Sequence, residues 1–245
     1  MPKEDQKFVV SYGLYGGDPK YTTGAIRNAE LVRYIYPGWV CRFYHDNTVP
    51  KNVLTQLEEL GAELINVAND GMSGGIGGMF WRFLVAGDET VDRYIVRDSD
   101  SRLNAREAAA VEEWIESGYP VHSMRDHLGH DAPMNGGMWG GVKGAIPDII
   151  AKIKAWPNRD QFWMDMNFLA KDIWPLIKDK TLSHDSVVCT KYPNSKSFPT
   201  RRIAKEHVGQ VFDALESPRL GDMNDGRMDT PSPMACRRKP EWTHG

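Results

Sequence analysis

Tyr94-Ile95-Val96-Arg97-Asp98-Ser99-Asp100-Ser101 is the stretch whose reading decides the fold. Tyr94 to Val96 is apolar and rich in β-branched side chains, which predicts a buried strand. The strand stops at two carboxylates two residues apart. In extended backbone, residues i and i+2 project to one side, so Asp98 and Asp100 are expected to face one ligand. Asn104 followed by Glu107 is the pattern of a capped helix start and predicts a helix from Ala105 to Ser117. Strand, carboxylate pair and helix in succession place two negative charges at the carboxyl end of a strand, where open α/β sheets bind ligands. Two hard oxygen donors suit Mg²⁺ or Mn²⁺, ions that commonly carry phosphates. Alone, Asp-x-Asp is a weak signal, because a solvated βα turn has the same form.

Outward from this stretch, strand and helix patterns alternate. Phe8 to Tyr12 predicts a first strand, breaking into the glycine-rich loop Gly13 to Asp18, whose backbone can approach a ligand closely. Thr22 or Thr23 is expected to cap a helix that Pro37-Gly38 ends near Tyr36. Val40 to Tyr44 and Ala62 to Val67 predict two further strands, with a helix between them that opens at Pro50 and closes at Gly61. Five glycines over 71–78 predict a flexible loop feeding a short apolar helix, Met79 to Leu84. Beyond the carboxylates, Val121 to Met124 predicts a fifth strand. The alternating glycines of Met134 to Gly141 predict a strand with close backbone approach. Pro147 to Trp156 and Phe162 to Ile173 predict helices, the second ended by Pro175, and His184-Asp185-Ser186 falls in loop-rich sequence. The order βαβαβαβα predicts a mostly parallel central sheet flanked by helices. Residues 1–216 are read as one domain and 217–245, aperiodic and rich in Asp, Arg, Pro, Ser and Met, as a mobile tail.

Composition narrows the function classes. At 245 residues, 41% hydrophobic and 26% charged, the chain is an ordinary globular one with ample core. A net charge of −3 gives no electrostatic case for nucleic acid or an anionic membrane. No apolar run reaches transmembrane length, and the N-terminal residues lack a signal peptide's apolar segment. Cys41, Cys189 and Cys236 are widely spaced and odd in number, so free thiols in a reducing, cytoplasmic compartment are expected.

These segments together resemble the GT-A class of nucleotide-sugar glycosyltransferases, a Rossmann-like single-domain fold. The likeness is narrower to small transferases of bacteria and large algal viruses that build capsid glycans. It rests on Met79-Phe80-Trp81-Arg82-Phe83, Arg97 to Leu103, His122 to His127, Gly136-Gly137-Met138-Trp139-Gly140, Ile173-Trp174-Pro175 and His184-Asp185-Ser186, spanning Phe8 to Asp213. The resemblance implies sugar transfer from a nucleotide-sugar donor, UDP-sugar ahead of GDP-sugar, to a glycan or other hydroxyl acceptor, with Mn²⁺ or Mg²⁺ as cofactor. It implies Asp100 on the metal and Asp98 on the metal through water or on the ribose, with Ser99 between them. Ser11, Tyr12, Gly13 and Asp46 would hold the nucleoside, and Arg82 would lie near the diphosphate or donor sugar. Gly136 and Gly137 would lie under the sugar with Trp139 nearby, although packing is the commoner role of such a tryptophan, as it is for Trp163. A late residue often closes the metal site in this class, and His184 is the one the resemblance offers, with Asp185 as the partner that orients its ring. Relatives usually carry Asp-Gln shortly before Ile-Trp-Pro. Here Asp165 takes the Asp place and Met166 stands where Gln is expected. Asp165 is thus the first candidate general base, with Asp126 and Asp185 as alternatives.

Other readings are open to test. A calcium loop fails, because Arg102 stands where an oxygen ligand belongs. A haloacid-dehalogenase-like phosphatase also uses Asp-x-Asp after an apolar strand, with Gly221-Asp222-Met223-Asn224-Asp225 mimicking its distal acidic motif. Its nucleophile normally follows an early strand, and here that strand is the fourth. A non-catalytic carbohydrate-binding module would use exposed tryptophan without nucleotide or metal. His127 and His130 read as solvated loop histidines.

Overall fold

The computed structural model describes residues 5–69 and 75–244. Asp70, Gly71 and Gly74, part of the expected glycine loop and its approach, lie outside the described residues. The chain order is β1 (Phe8–Leu14), α1 (Pro19–Ile35), β2 (Val40–His45), α2 (Lys51–Glu59), β3 (Glu63–Asn66), a 3₁₀ run (Gly75–Gly87), β4 (Arg93–Val96) and α3 (Ala105–Ser117). It continues with β5 (Val121–Arg125), β6 (Trp139–Val142), α4 (Ile149–Ala155), α5 (Met164–Phe168), α6 (Trp174–Ile177), β7 (Thr181–Asp185), β8 (Ser195–Lys196) and α7 (Leu220–Met223). One eight-stranded sheet results, in the order β3-β2-β1-β4-β6-β5-β7-β8. Its neighbours are parallel except where β6 runs against β4 and β5.

The sheet is mostly parallel, as the alternating order predicts: α1 and α2 carry the chain back between the parallel pairs β1–β2 and β2–β3, and helices over the sheet leave its inner strands buried on both faces. Val9, Tyr94 and Val96 point into a core with Trp81, Phe83, Trp139 and Phe168. Val10, Tyr12 and Ile95 point the other way, onto Ala25, Ala29 and Val32 of α1 and Val111 and Trp114 of α3. A strand buried on both sides loses its alternation, which is why Tyr94-Ile95-Val96 reads as a continuous apolar run.

Several local expectations are corrected. The first helix starts earlier than Thr22: Asp18 caps it, accepting from the Lys20 N–H at 2.9 Å, with Pro19 at the first position. Met79 to Leu84 is helical as expected, in 3₁₀ form, within a run that starts earlier at Gly75. The helix expected over Phe162 to Ile173 begins at Met164 and widens into a π-helical turn over Leu169–Ile173. Pro175 stands in the first turn of α6 instead of ending a helix. His184-Asp185 is no loop: it closes β7, whose five residues are all buried although most are polar.

Cysteine pairing also departs from expectation. Cys41 is free and buried, whereas Cys189 and Cys236 form a disulfide with their Cα atoms 5.5 Å apart. Spacing hid the pair because the chain folds back on itself over the 47 positions that separate the two cysteines. The cysteine argument for a reducing compartment falls with it. Over 217–244 only α7 and two short 3₁₀ turns are regular. This segment touches the domain through Cys236, through the buried Met228, and through Arg238, which pairs with Glu113 at 3.0 Å. Among the described residues, no helix is long and apolar enough to cross a membrane.

Candidate active site

The carboxyl ends of β1 and β4 lie side by side, and the pairing runs on one step past β4, where the Arg97 N–H donates to the Ser11 carbonyl at 3.0 Å. There the chain turns. The Asp98 carbonyl accepts from both the Ser101 N–H (3.1 Å) and the Ser101 hydroxyl (2.8 Å). Asp98 and Asp100 therefore share a site through a tight turn, not through the extended backbone that their spacing suggested. Asn28, fully buried on α1, holds this turn from behind: its amide donates to the Ser101 carbonyl at 2.8 Å and accepts from the Leu103 N–H at 3.0 Å. Gly24 lets the two segments meet, since a Cβ there would collide with the Ser99 carbonyl. This contact sets the first turn of α1 beside the carboxylates, and the Lys20 ammonium lies 2.6 Å from Asp100.

Arg82 forms the other wall. The Ser11 hydroxyl, wholly buried, donates to the Arg82 carbonyl at 2.8 Å and fixes the 3₁₀ run against β1. Its guanidinium forks between two carboxylates, Nη1 to Asp98 at 2.6 Å and Nη2 to Asp165 at 2.8 Å. Burial lowers the pKa of Arg82, but Asp98 and Asp165 outweigh it and the net direction is upward, so the group stays charged. Burial raises the Asp98 pKa, against the pull of Arg82 and with the push of Asp100 and Asp165. With 41% of the Asp98 side chain open, solvent moderates that effect. Beneath the fork runs the Gly136-Gly137 backbone; a Cβ at Gly137 would strike the Asp98 carboxylate. Met166 also has a task here: the Gly136 N–H points to its sulfur at 3.0 Å.

These elements enclose a cleft of about 310 Å³, within the range of small-molecule sites. Gly13, Lys20, Arg82, Asp98, Ser99 and Asp100 line it, and Tyr15, Tyr21 and Phe162 supply aromatic surface. Arg219, from the region read as a tail, also lines it, held by Asp222 at 2.6 Å. Sequence reasoning missed Lys20, Asn28 and Arg219. Only Asn28 left a signal, as an amide on the buried face it shares with Ala25, Ala29 and Val32.

Other predicted residues lie elsewhere. Tyr12 is buried and stacks on Phe43 at 4.9 Å, and Trp139 is buried between Phe83 and Tyr94. Neither lines the cleft, because each side chain points into one of the two cores that flank the sheet. The Asp46 carboxylate is taken by its own turn, accepting from the Thr48 N–H at 2.9 Å and from the Thr48 hydroxyl. Asp126 accepts from Arg106, Arg202, Ser186 and the Val208 N–H. Burial pushes its pKa up, but the arginines, Arg106 foremost, hold it far below the carboxylate range. Asp185 accepts from Arg125 at 2.6 Å and caps the Val187 and Val188 N–H groups. Both carboxylates are spent on structure. His184 is fully buried with both ring nitrogens engaged, one with His122 at 2.8 Å and one with Glu113 at 3.0 Å. The His127, His130 and His207 rings cluster with centroids 4.6–5.8 Å apart, and His127 is buried, not solvated.

Among the described residues, no group of three or more His, Cys, Asp or Glu is placed to hold a metal ion. Asp98 and Asp100 offer oxygens alone, from one cleft. That donor set fits Mg²⁺-like ions, which take one or two protein carboxylates and complete their shell with substrate phosphates and water.

No protein-family model matches the chain, and a search of curated proteins finds no match. Solved structures give distant likenesses. A glycosyltransferase involved in glycosylation of the major capsid of PBCV-1 superimposes with a TM-score of 0.49 at 13% identity, over 74% of this chain and 83% of that one. Glucosyl-3-phosphoglycerate synthase from Mycobacterium tuberculosis, in complex with Mn²⁺, UDP-glucose and glycerol 3-phosphate, gives 0.46 at 12% identity, over 74% and 70%. Mannosyl-3-phosphoglycerate synthase from Rubrobacter xylanophilus gives 0.41 at 11% identity, over 58% and 55%. At such values the likeness concerns the path of the chain and not its residues.

Proposed function

We propose that the cleft takes a nucleoside-diphosphate sugar together with Mn²⁺ or Mg²⁺ and transfers the sugar to a hydroxyl acceptor. One observation carries this reading: the two carboxylates Asp98 and Asp100 converge with the cations Lys20 and Arg82 on one cleft at the carboxyl ends of β1 and β4. A diphosphate leaving group needs both kinds of partner. Asp100, with Asp98, would hold the divalent ion, which when bound neutralises the diphosphate's growing charge. Arg82 would donate to the same oxygens from a site already aimed by Asp165, so little reorganisation accompanies bond cleavage. Lys20 would exchange Asp100 for phosphate as the ligand enters. Gly13 would let the nucleoside lie close to the backbone after β1. Among the base candidates, Asp165 alone adjoins this centre, through Arg82. We take it as the residue whose loss lowers turnover more than nucleotide affinity.

The test is product analysis. Incubation with UDP-sugars, then GDP-sugars, plus Mn²⁺ and a panel of hydroxyl acceptors should release the nucleoside diphosphate. p-Nitrophenyl phosphate should stay intact. Phosphate release from that ester would favour the phosphatase. Glycan binding indifferent to nucleotide and metal would favour the carbohydrate-binding module.

A further inference from the structure

Phe162, which lines the cleft, and its neighbour Trp163 stand out. They are 66% and 59% exposed, in edge contact with ring centroids 5.4 Å apart at 83°. Among the described tryptophans Trp163 alone is exposed, whereas Trp81, Trp114 and Trp139 are wholly buried. A lone exposed aromatic residue is ordinary, but two in contact at the edge of a cleft form a patch. Phe162 lines the cleft itself, and Tyr21, 37% exposed on α1, lines it too. The backbone is strained at the same place: Trp163 has φ 69°, ψ 1°, a left-handed conformation that bulky side chains avoid at a cost of about 1–3 kcal/mol. Its carbonyl accepts the Asn167 N–H at 2.9 Å, so the strained residue is built into the start of α5. Two residues on, Asp165 grips Arg82. The aromatic pair is thereby fixed to the reacting centre.

We propose that Phe162 and Trp163 are the acceptor's docking platform and that the acceptor presents a pyranose ring to it. This rests on the reading of the cleft as a sugar-transfer site. A pyranose has a flat C–H face and a rim of hydroxyls, so one face packs on an aromatic ring while a hydroxyl turns toward the donor. The charge of the loop agrees. Pro157 to Trp163 carries one arginine and one aspartate, which cancel, so it offers no net attraction for a phosphorylated acceptor. The cations in the cleft are those the diphosphate would engage.

The experiment uses the whole chain and titrates methyl α-D-glucopyranoside, methyl α-D-mannopyranoside, methyl β-D-galactopyranoside and maltotriose. Tryptophan fluorescence is followed with and without UDP and Mn²⁺, and 3-phosphoglycerate and glycerol serve as non-ring probes. Trp163→Asn removes the ring while keeping a residue that tolerates left-handed backbone, and Phe162→Ala is the second variant. At least one pyranoside should change the emission of the wild type, and calorimetry should show either variant binding it about tenfold more weakly. In Trp163→Asn, which lies outside the cleft lining, UDP affinity by calorimetry should not move. If UDP binds with Mn²⁺ but no pyranoside does, or 3-phosphoglycerate alone binds, the platform is refuted and the donor reading stands. If pyranosides bind through Trp163 while UDP does not bind at all, the pair is a pyranose site of a binding module, and both the donor reading and the acceptor role fall. Weaker UDP binding in Trp163→Asn would make the pair a nucleobase platform and overturn the proposal.

Discussion

Replacing Arg82 by methionine tests the electrostatic design of the cleft apart from any activity. Arg82 and Asp165 have side chains only 10% and 5% exposed, joined at 2.8 Å, so the substitution leaves a buried carboxylate without its cation. Breaking a buried pair from one side costs about 3–5 kcal/mol. The Asp98 arm, 2.6 Å long but 41% open on the carboxylate side, behaves more like a surface pair and adds about 0.2–1 kcal/mol. We therefore expect Arg82→Met to destabilise the fold by about 4 kcal/mol. Asp165→Asn in the same background should restore most of the loss, because the stranded charge is then gone. Urea unfolding followed by far-UV circular dichroism reads both effects as shifts in midpoint at constant slope. A loss below about 0.5 kcal/mol, the scale of an ordinary surface substitution, would refute the reasoning. So would a double variant no more stable than Arg82→Met.

Acid should unfold the chain from the histidine range downward. Burial holds His122, His127, His130, His184 and His207 below their ordinary pKa, His184 at about 4 and His130 at about 3. Since the unfolded chain takes these protons first, stability is complete above about pH 6.5 and falls as pH drops toward 4, His184 alone accounting for about 3 kcal/mol. Urea midpoints that stay level between pH 7 and pH 4.5 would contradict this. Thiol counting under denaturing, non-reducing conditions should find one reactive cysteine, Cys41, and three only after reduction. Closing a loop of this length is worth about 4 kcal/mol in the chain-entropy account, so reduction should also lower the melting temperature.

What the sequence disclosed and what it hid follow from where the information resides. β1 and β4 were legible because burial on both faces makes Val9-Val10 and Tyr94-Ile95-Val96 continuous apolar runs. β7 was not. Thr181-Leu182-Ser183-His184-Asp185 is buried through partners, Asp185 on Arg125 and His184 between His122 and Glu113, and those partners are distant in the chain. Hydrophobic periodicity carries no strand direction, so the reversal of β6 left no trace. Asp98 and Asp100 were found by their place after a strand, although a turn and not an extended chain brings them together. Lys20 escaped because the helix was started too late, and Arg219 because an aperiodic segment gives no hint that it folds back onto the cleft. His184, Asp126 and Asp185 have the chemistry of ligands and bases, but ionisable groups serve structure as readily when their partners are buried with them.

In the proposed function Asp100 anchors a diphosphate through a divalent ion. Calorimetric titration of UDP, with GDP as the comparison nucleotide, into wild type and Asp100→Asn, each with Mn²⁺ and again with EDTA, tests it most directly. We expect wild type to bind a nucleoside diphosphate only when Mn²⁺ is present, and Asp100→Asn, folded and with its Lys20 contact changed from an ion pair to a hydrogen bond between an ammonium and a neutral amide, to lose that binding. Nucleotide affinity unchanged by EDTA, or equal in Asp100→Asn and wild type, would contradict it.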